Sequence, residues 1–197
     1  MPVSIISICN MALSSIGGYA IASLDEQSVE ARVCLQHYDP CRDEVLRSFE
    51  WPFATKVAAL ATVAGVSFPG WEYTYSLPSD CLYPRKIVLS SGESVPVALF
   101  EIRASSNGTS KYIVTNTEKA YLEYTGRIED PTMFDPQFVQ VLSCRLAAQI
   151  AVALSVDSRK RGEMMELYLY ALNNAKVTAS NEGRRKITYD KYRKARL

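Results

Sequence analysis

The hydrophobic period of this chain changes twice, and those changes limit the possible folds more than any other feature. Before Trp51-Pro52 apolar residues recur at helical spacing. From there to Asp135-Pro136 they fall in short β-branched and aromatic runs, and beyond it the helical period returns. Helices at both ends must pack together to hide their apolar faces, because each presents too little apolar surface to stand alone. The pattern therefore predicts an α+β fold: a four-helix bundle of two N-terminal and two C-terminal helices, an inserted antiparallel β domain, and an extended basic C-terminal tail. The corresponding domains are residues 1–50 and 131–182 for the bundle, 51–130 for the β domain and 183–197 for the arm.

Within that frame, Ile5, Ile8, Cys9, Ala12, Leu13 and Ile16 predict a first helix over 5–16, closed by Gly17-Gly18. Ser23-Leu24-Asp25-Glu26 fits a capping box, which predicts a second helix from about residue 24. Its apolar stripe is Ala31, Leu35, Tyr38, Val45, Leu46 and Phe49. Pro40 predicts a kink within it, or two shorter helices with Asp39 as the second cap.

Strands are predicted near 55–63, 72–76, 84–90, 95–103, 110–115 and 119–125, with turn residues at Ser105–Gly108 and Thr115–Thr117. The last two strands read as a hairpin. In the C-terminal half, Phe138, Val141, Leu142, Leu146, Ile150, Ala153 and Leu154 predict a helix buried on more than one side. Asp157 or Ser158 then caps a fourth helix, which offers Met164, Leu167, Tyr168, Ala171, Leu172 and Ala175 to the same core.

Charge is distributed unevenly. Seven of the 22 Lys and Arg but one of the 21 Asp and Glu lie in the last fifteen residues, so the arm carries +6 and residues 1–182 carry −5. No apolar run approaches the roughly 18–20 residues needed to span a bilayer, and the N-terminus lacks the basic flank of a signal peptide. Five cysteines without a C-x-x-C pair argue against a disulfide framework or a zinc ribbon.

Catalytic and metal constellations are sparse. Cys34, His37 and Cys41 share one helix face, but two thiolates seven residues apart are separated by roughly 10 Å at helical rise, which suits packing better than a tetrahedral zinc. His37, the single histidine, has no G-x-S-x-G elbow to serve in a triad. Phosphate-cradling glycine loops are absent, and Gly17-Gly18 follows a helix instead of a strand. The pairs Asp43-Glu44 and Glu129-Asp130 suit helix ends and caps better than acid–base work. Trp51, Phe53, Trp71, Tyr73 and Tyr75, near Arg85 and Lys86, would either stack on exposed bases or cover the junction of bundle and β domain, and the second use is the commoner. Neither an enzyme nor a bound cofactor is expected.

The ordered series N-M-A-L-S-S-I-G-G, S-L-D-E-Q-S-V-E-A-R, Y-D-P-C-R-D-E-V-L-R, W-P-F-A-T-K and Y-S-L-P-S-D-C-L resembles the tail tubular protein A family, the head-to-tail adaptors of short-tailed bacteriophages. The likeness covers most of residues 8–87 and extends more loosely to about residue 180. It implies a structural virion protein, assembled in the host cytoplasm, that forms a dodecameric ring between the portal protein and the tail nozzle, with DNA passing through its channel without specific binding. Arg32, Asp43, Arg47 and Trp51 match the family pattern as fold signatures. The resemblance also implies that the C-terminal segment docks on the portal, which assigns that contact to Arg184, Arg185, Lys186, Ile187, Tyr189, Lys191, Tyr192, Arg193, Lys194 and Arg196. Read by charge alone, the same arm would be a DNA grip. Its interleaved Ile187, Tyr189 and Tyr192 favour a protein groove.

Overall fold

The structure, a computed structural model, describes residues 3–88, 98–154 and 157–182. Among the described residues it is a mixed α+β protein with four α-helices and two small antiparallel sheets. The chain divides into two units, one comprising Met1–Val45 with the chain from Asp130 onward, the other Leu46–Glu129.

In the first unit, α1 (Ile5–Ile16) begins at Ser4, whose hydroxyl accepts from the Ser7 amide while the Ser7 side chain accepts from the Ser4 amide. It ends where Gly17 takes a left-handed φ of 79°. There the Gly18 amide donates to Leu13 and the Gly17 amide to Ser14, the paired bonds of a Schellman ending. Gly18 is tied to this turn by space, since an added Cβ would lie 3.1 Å from Leu13 Cδ2.

The start of α2 (Val29–Ser48) differs from expectation. The capping-box contacts around Ser23 do form: Ser23 Oγ accepts from the Asp25 amide, and Glu26 accepts from the amides of Ala22 and Ser23. They close a loop turn instead of a helix. The helix starts five residues later than predicted because Ser28 Oγ takes the Ala31 amide, the third-position donor that an N-cap satisfies. Past Pro40 the helix runs unbroken, so the two-helix alternative is not realised. Leu35 is also corrected, being exposed rather than on the buried stripe.

α3 (Pro136–Ala153) starts from Asp135, which accepts from the Gln137 amide with proline at the first helical position. It packs on α1 and α4. Phe138, Leu142, Leu146 and Ile150, spaced by four, are each fully buried; at about 1.5–3 kcal/mol per large apolar side chain, this one stripe dominates the unit's core. Ala147, Ala148 and Ala151 are buried beside it, so neighbours approach the helix on several sides. α4 (Ser158–Glu182) is capped by Asp157, which accepts from the Arg159 amide, and it buries Met164, Tyr168, Leu172 and Ala175. Leu167, expected in that stripe, is exposed.

The second unit holds β1 (Thr55–Ala59), β2 (Tyr73–Ser76), β3 (Cys81–Val88), β4 (Phe100–Ala104), β5 (Lys111–Thr115) and β6 (Tyr121–Gly126). One sheet has the order β1-β6-β3 and the other β2-β5-β4, every pair antiparallel. Two bridges, Thr62 with Tyr75 and Ile87 with Ala98, tie the sheets at both edges and close the strands into a small barrel. One core fills it: Tyr75, Ile87, Ile113, Ala120, Leu122 and Tyr124. The turn at Ser105–Gly108 does join a hairpin, β4 to β5. The predicted β5–β6 hairpin does not form. At Asn116 the side chain accepts from the Glu72 amide, Lys119 adopts a φ of 54°, and the chain crosses to the other sheet, where the Ala120 carbonyl accepts from Leu60.

Candidate functional site

The ten arm residues assigned to docking, Arg184 to Arg196, lie outside the described residues. Among the described residues, the sequence motifs serve to hold the fold together. Asn10 takes the Ile21 amide on Oδ1 at 2.8 Å and donates from Nδ2 to the Ile21 carbonyl at 2.9 Å, pinning the loop after α1. Arg42, 4 % exposed, donates to Asp39 at 2.8 Å and to Asp43 from both Nε and Nη2. Glu44 pairs with Arg145, whose guanidinium is held above its usual range by that carboxylate. Asp130 turns its carboxylate onto Thr132 as a cap, which lowers its pKa. Asp130 is thus a cap, as its position suggested, whereas Asp43 and Glu44 lie within α2 and form ion pairs instead of a helix end.

Cys34, His37 and Cys41, whose spacing suits packing better than zinc, are not grouped as a metal site among the described residues. Cys34 and Cys9 are fully buried, and the hydrogen bond between their thiols, with burial, holds Cys9 far above the ordinary thiol range. The same hydrogen bond from Cys9 lowers the Cys34 thiol, so the two buried thiols shift in opposite directions. Burial, with a smaller push from the Glu44 carboxylate, raises Cys41 to about 11 in spite of nearby Arg145. No group of three or more His, Cys, Asp or Glu able to hold a metal occurs among the described residues. The Tyr38 hydroxyl is buried without a hydrogen-bond partner among them, and desolvation raises its pKa.

In the barrel unit, the aromatic residues are mostly committed. Trp51 is 2 % exposed and packs edge-on against Phe49 at 5.4 Å, and Tyr75, 1 % exposed, is a core ring of the barrel instead of a cover for a junction. Neither can stack on a base. Arg85 donates to the carbonyls of Phe49 and Arg47 and to Thr125 Oγ1, with its guanidinium 4.5 Å from the Tyr83 ring centre. This fork satisfies carbonyls that the end of α2 leaves open. Lys86 pairs with Glu123 at 2.7 Å. Both cations are engaged within the barrel.

One open feature among the described residues is a groove in the helical unit. It has a volume of about 380 Å³ and lies among α1, α3 and α4, lined by Gln140 and Cys144 on one side and Met164, Leu167, Tyr170 and Asn174 on the other. A neighbouring polar hollow of about 550 Å³ shares Ser15 and Gln140 with it and adds Ser7, Asn10 and Ser143. Leu167 and Tyr170 are 48 % and 66 % exposed, and Val177 is 63 % exposed. Together with Asn174 these positions run i, i+3, i+7, i+10 along one edge of α4. The sequence reading missed this second stripe because it placed Leu167 in the first. The i, i+3, i+7 spacing was the signal that could have found it.

No family model matches the chain, and a search of curated proteins found none similar to it.

Proposed function

We propose that this protein is a structural component of a short-tailed phage virion: a head-to-tail adaptor whose four helices form a bundle and whose copies form a ring. In this reading the ring, dodecameric as in the family it resembles, sits between portal and tail nozzle, and DNA passes through its channel. The role involves no catalytic step and no cofactor. Its arm, Arg184 to Arg196, docks on the portal.

The observation that carries this reading is that two motifs of the resemblance bond to each other and the other three hold their own helix or the turn they flank. Lys56 of W-P-F-A-T-K meets Asp80 of Y-S-L-P-S-D-C-L at 2.7 Å. Asn10 of the first motif holds Ile21, Ser28 of the second starts α2, and Asp39, Arg42 and Asp43 of the third form one cluster. Each motif thus has a structural use in the fold, and an ordered series of such motifs is harder to meet by chance than one short match. The net −5 of residues 1–182 also suits a channel wall, since few phosphate-neutralising contacts let DNA slide.

Images of the purified protein alone and mixed with portal-bearing heads test the reading. Rings seated on portals are expected, and truncation after Glu182 should abolish attachment while leaving the body folded. Attachment by the truncated chain would overturn the docking role. The +6 of the last fifteen residues favours a second reading, a DNA-binding arm. That reading requires DNA affinity that falls steeply with salt.

A further inference from the structure

The groove among α1, α3 and α4 has an apolar floor and an amide rim. Met164 and Cys144 supply the floor, while Gln137, Gln140 and Asn174 place side-chain donors and acceptors at its edge. Such a lining suits a peptide, whose side chains fill the floor and whose backbone hydrogen-bonds the amides. The stripe of Leu167, Tyr170, Asn174 and Val177 continues the groove toward Glu182, the last residue of α4.

Fifteen residues follow Glu182. From there to Met164 is eighteen helical positions, or roughly 27 Å at helical rise, whereas fifteen residues reach up to about 50 Å. The first of them is Gly183, a residue free to take the left-handed turn by which a chain reverses after a helix. Beyond it Ile187, Tyr189 and Tyr192 alternate with cations. The apolar side chains match the floor, and the exposed Tyr170 ring offers a face to a guanidinium or ammonium group.

We propose that the α1–α3–α4 groove is a docking site for the protein's own C-terminal arm, residues 183–197, bound in cis. The groove and the arm's reach carry this assignment independently of the adaptor role. If both hold, the portal competes with the groove for the same segment. A tethered segment sees its site at an effective concentration on the order of millimolar, so even a weak contact is well populated.

Cys144 lines the groove at 7 % exposure, so its slow labelling is read as a ratio between chains. The experiment compares thiol-labelling rates at Cys144, located by peptide mapping, in the full chain, in a chain ending at Glu182, and in a full chain carrying Ile187→Asp and Tyr189→Asp. Labelling at Cys81, in the barrel unit, and circular dichroism serve as folding controls. Docking in cis predicts labelling about tenfold faster in both altered chains, the ratio expected when a contact worth ~1.4 kcal/mol is lost. It also predicts that the synthetic 183–197 peptide at millimolar concentration restores protection to the truncated chain. Equal rates in all three chains would overturn the proposal. So would protection that rises with protein concentration alongside a dimer in light scattering, which would give the groove to a second copy. Portal attachment is scored separately: protection of Cys144 without attachment would refute the adaptor reading and leave the docking intact.

Discussion

Lys56 Nζ and Asp80 Oδ2 lie 2.7 Å apart, joining the first strand of the barrel to the turn that leads into its third. The same carboxylate accepts from Tyr124 Oη on β6 at 3.0 Å. Burial pushes the Asp80 pKa up, but the Lys56 and Tyr124 bonds outweigh it, and the carboxyl sits below its usual value. Tyr124 is in turn pushed up to about 12 by burial and by this carboxylate.

A carboxyl whose pKa is depressed by folding stabilises the protein above its unfolded pKa, near 3.9, and loses that contribution as pH falls through the folded value. Because Lys56 and Asp80 are 42 % and 36 % exposed, solvent screening holds the effect of Asp80→Asn to about 1 kcal/mol. Both tryptophans, Trp51 and Trp71, belong to the barrel unit, so urea unfolding followed by their fluorescence reads it directly. The gap between wild type and variant should be full at pH 6 and close below about pH 4. A gap that stays constant to pH 2 would remove Asp80 from the account.

Arg85 should tolerate no shorter cation. Arg85→Lys keeps the charge but cannot reach Thr125 and the carbonyls of Phe49 and Arg47 at once with a planar fork. A loss of about 1–2 kcal/mol is expected, from charge-assisted hydrogen bonds and the contact with Tyr83. The measurement is the urea midpoint at constant slope, and a midpoint equal to wild type would contradict the assigned role.

Arg42 tests the helical unit. Removing one partner from a buried pair costs about 3–5 kcal/mol, but with Asp39 at 69 % and Asp43 at 23 % exposure the orphaned acids can rehydrate, so Arg42→Ala should cost about 2 kcal/mol. Far-UV circular dichroism on heating checks this. Arg42→Met, which fills the same space without the charge, should recover part of the loss.

Gly17→Ala places a side chain at a φ of 79° with open space around it, so its cost is conformational, about 1 kcal/mol. Gly17→Asn should cost less, because asparagine visits this region more readily. Thermal melts of the two variants give the order. Variants melting at the wild-type temperature would mean that the ending of α1 adds nothing to stability.

What the sequence by itself determined is local. The span of α1, its glycine ending, a cap for α4 at Asp157 or Ser158 and six strand segments are legible, because periodicity and capping depend on neighbours within a turn or two. Tertiary structure decided the choices between locally equal options. Ser23 and Ser28 both offer a hydroxyl to a following amide, and only the packing of Ala31, Cys34 and Tyr38 selects where the helix starts. Asn116 suits a tight turn, yet the partners of β5 and β6 were set by which strands share the barrel's core, so the chain crosses between sheets instead of folding back. The two stripes of α4 are both written in the sequence. Which one is buried, leaving Leu167, Tyr170 and Val177 to line an open groove, depended on where α3 lies, a relation no local pattern encodes.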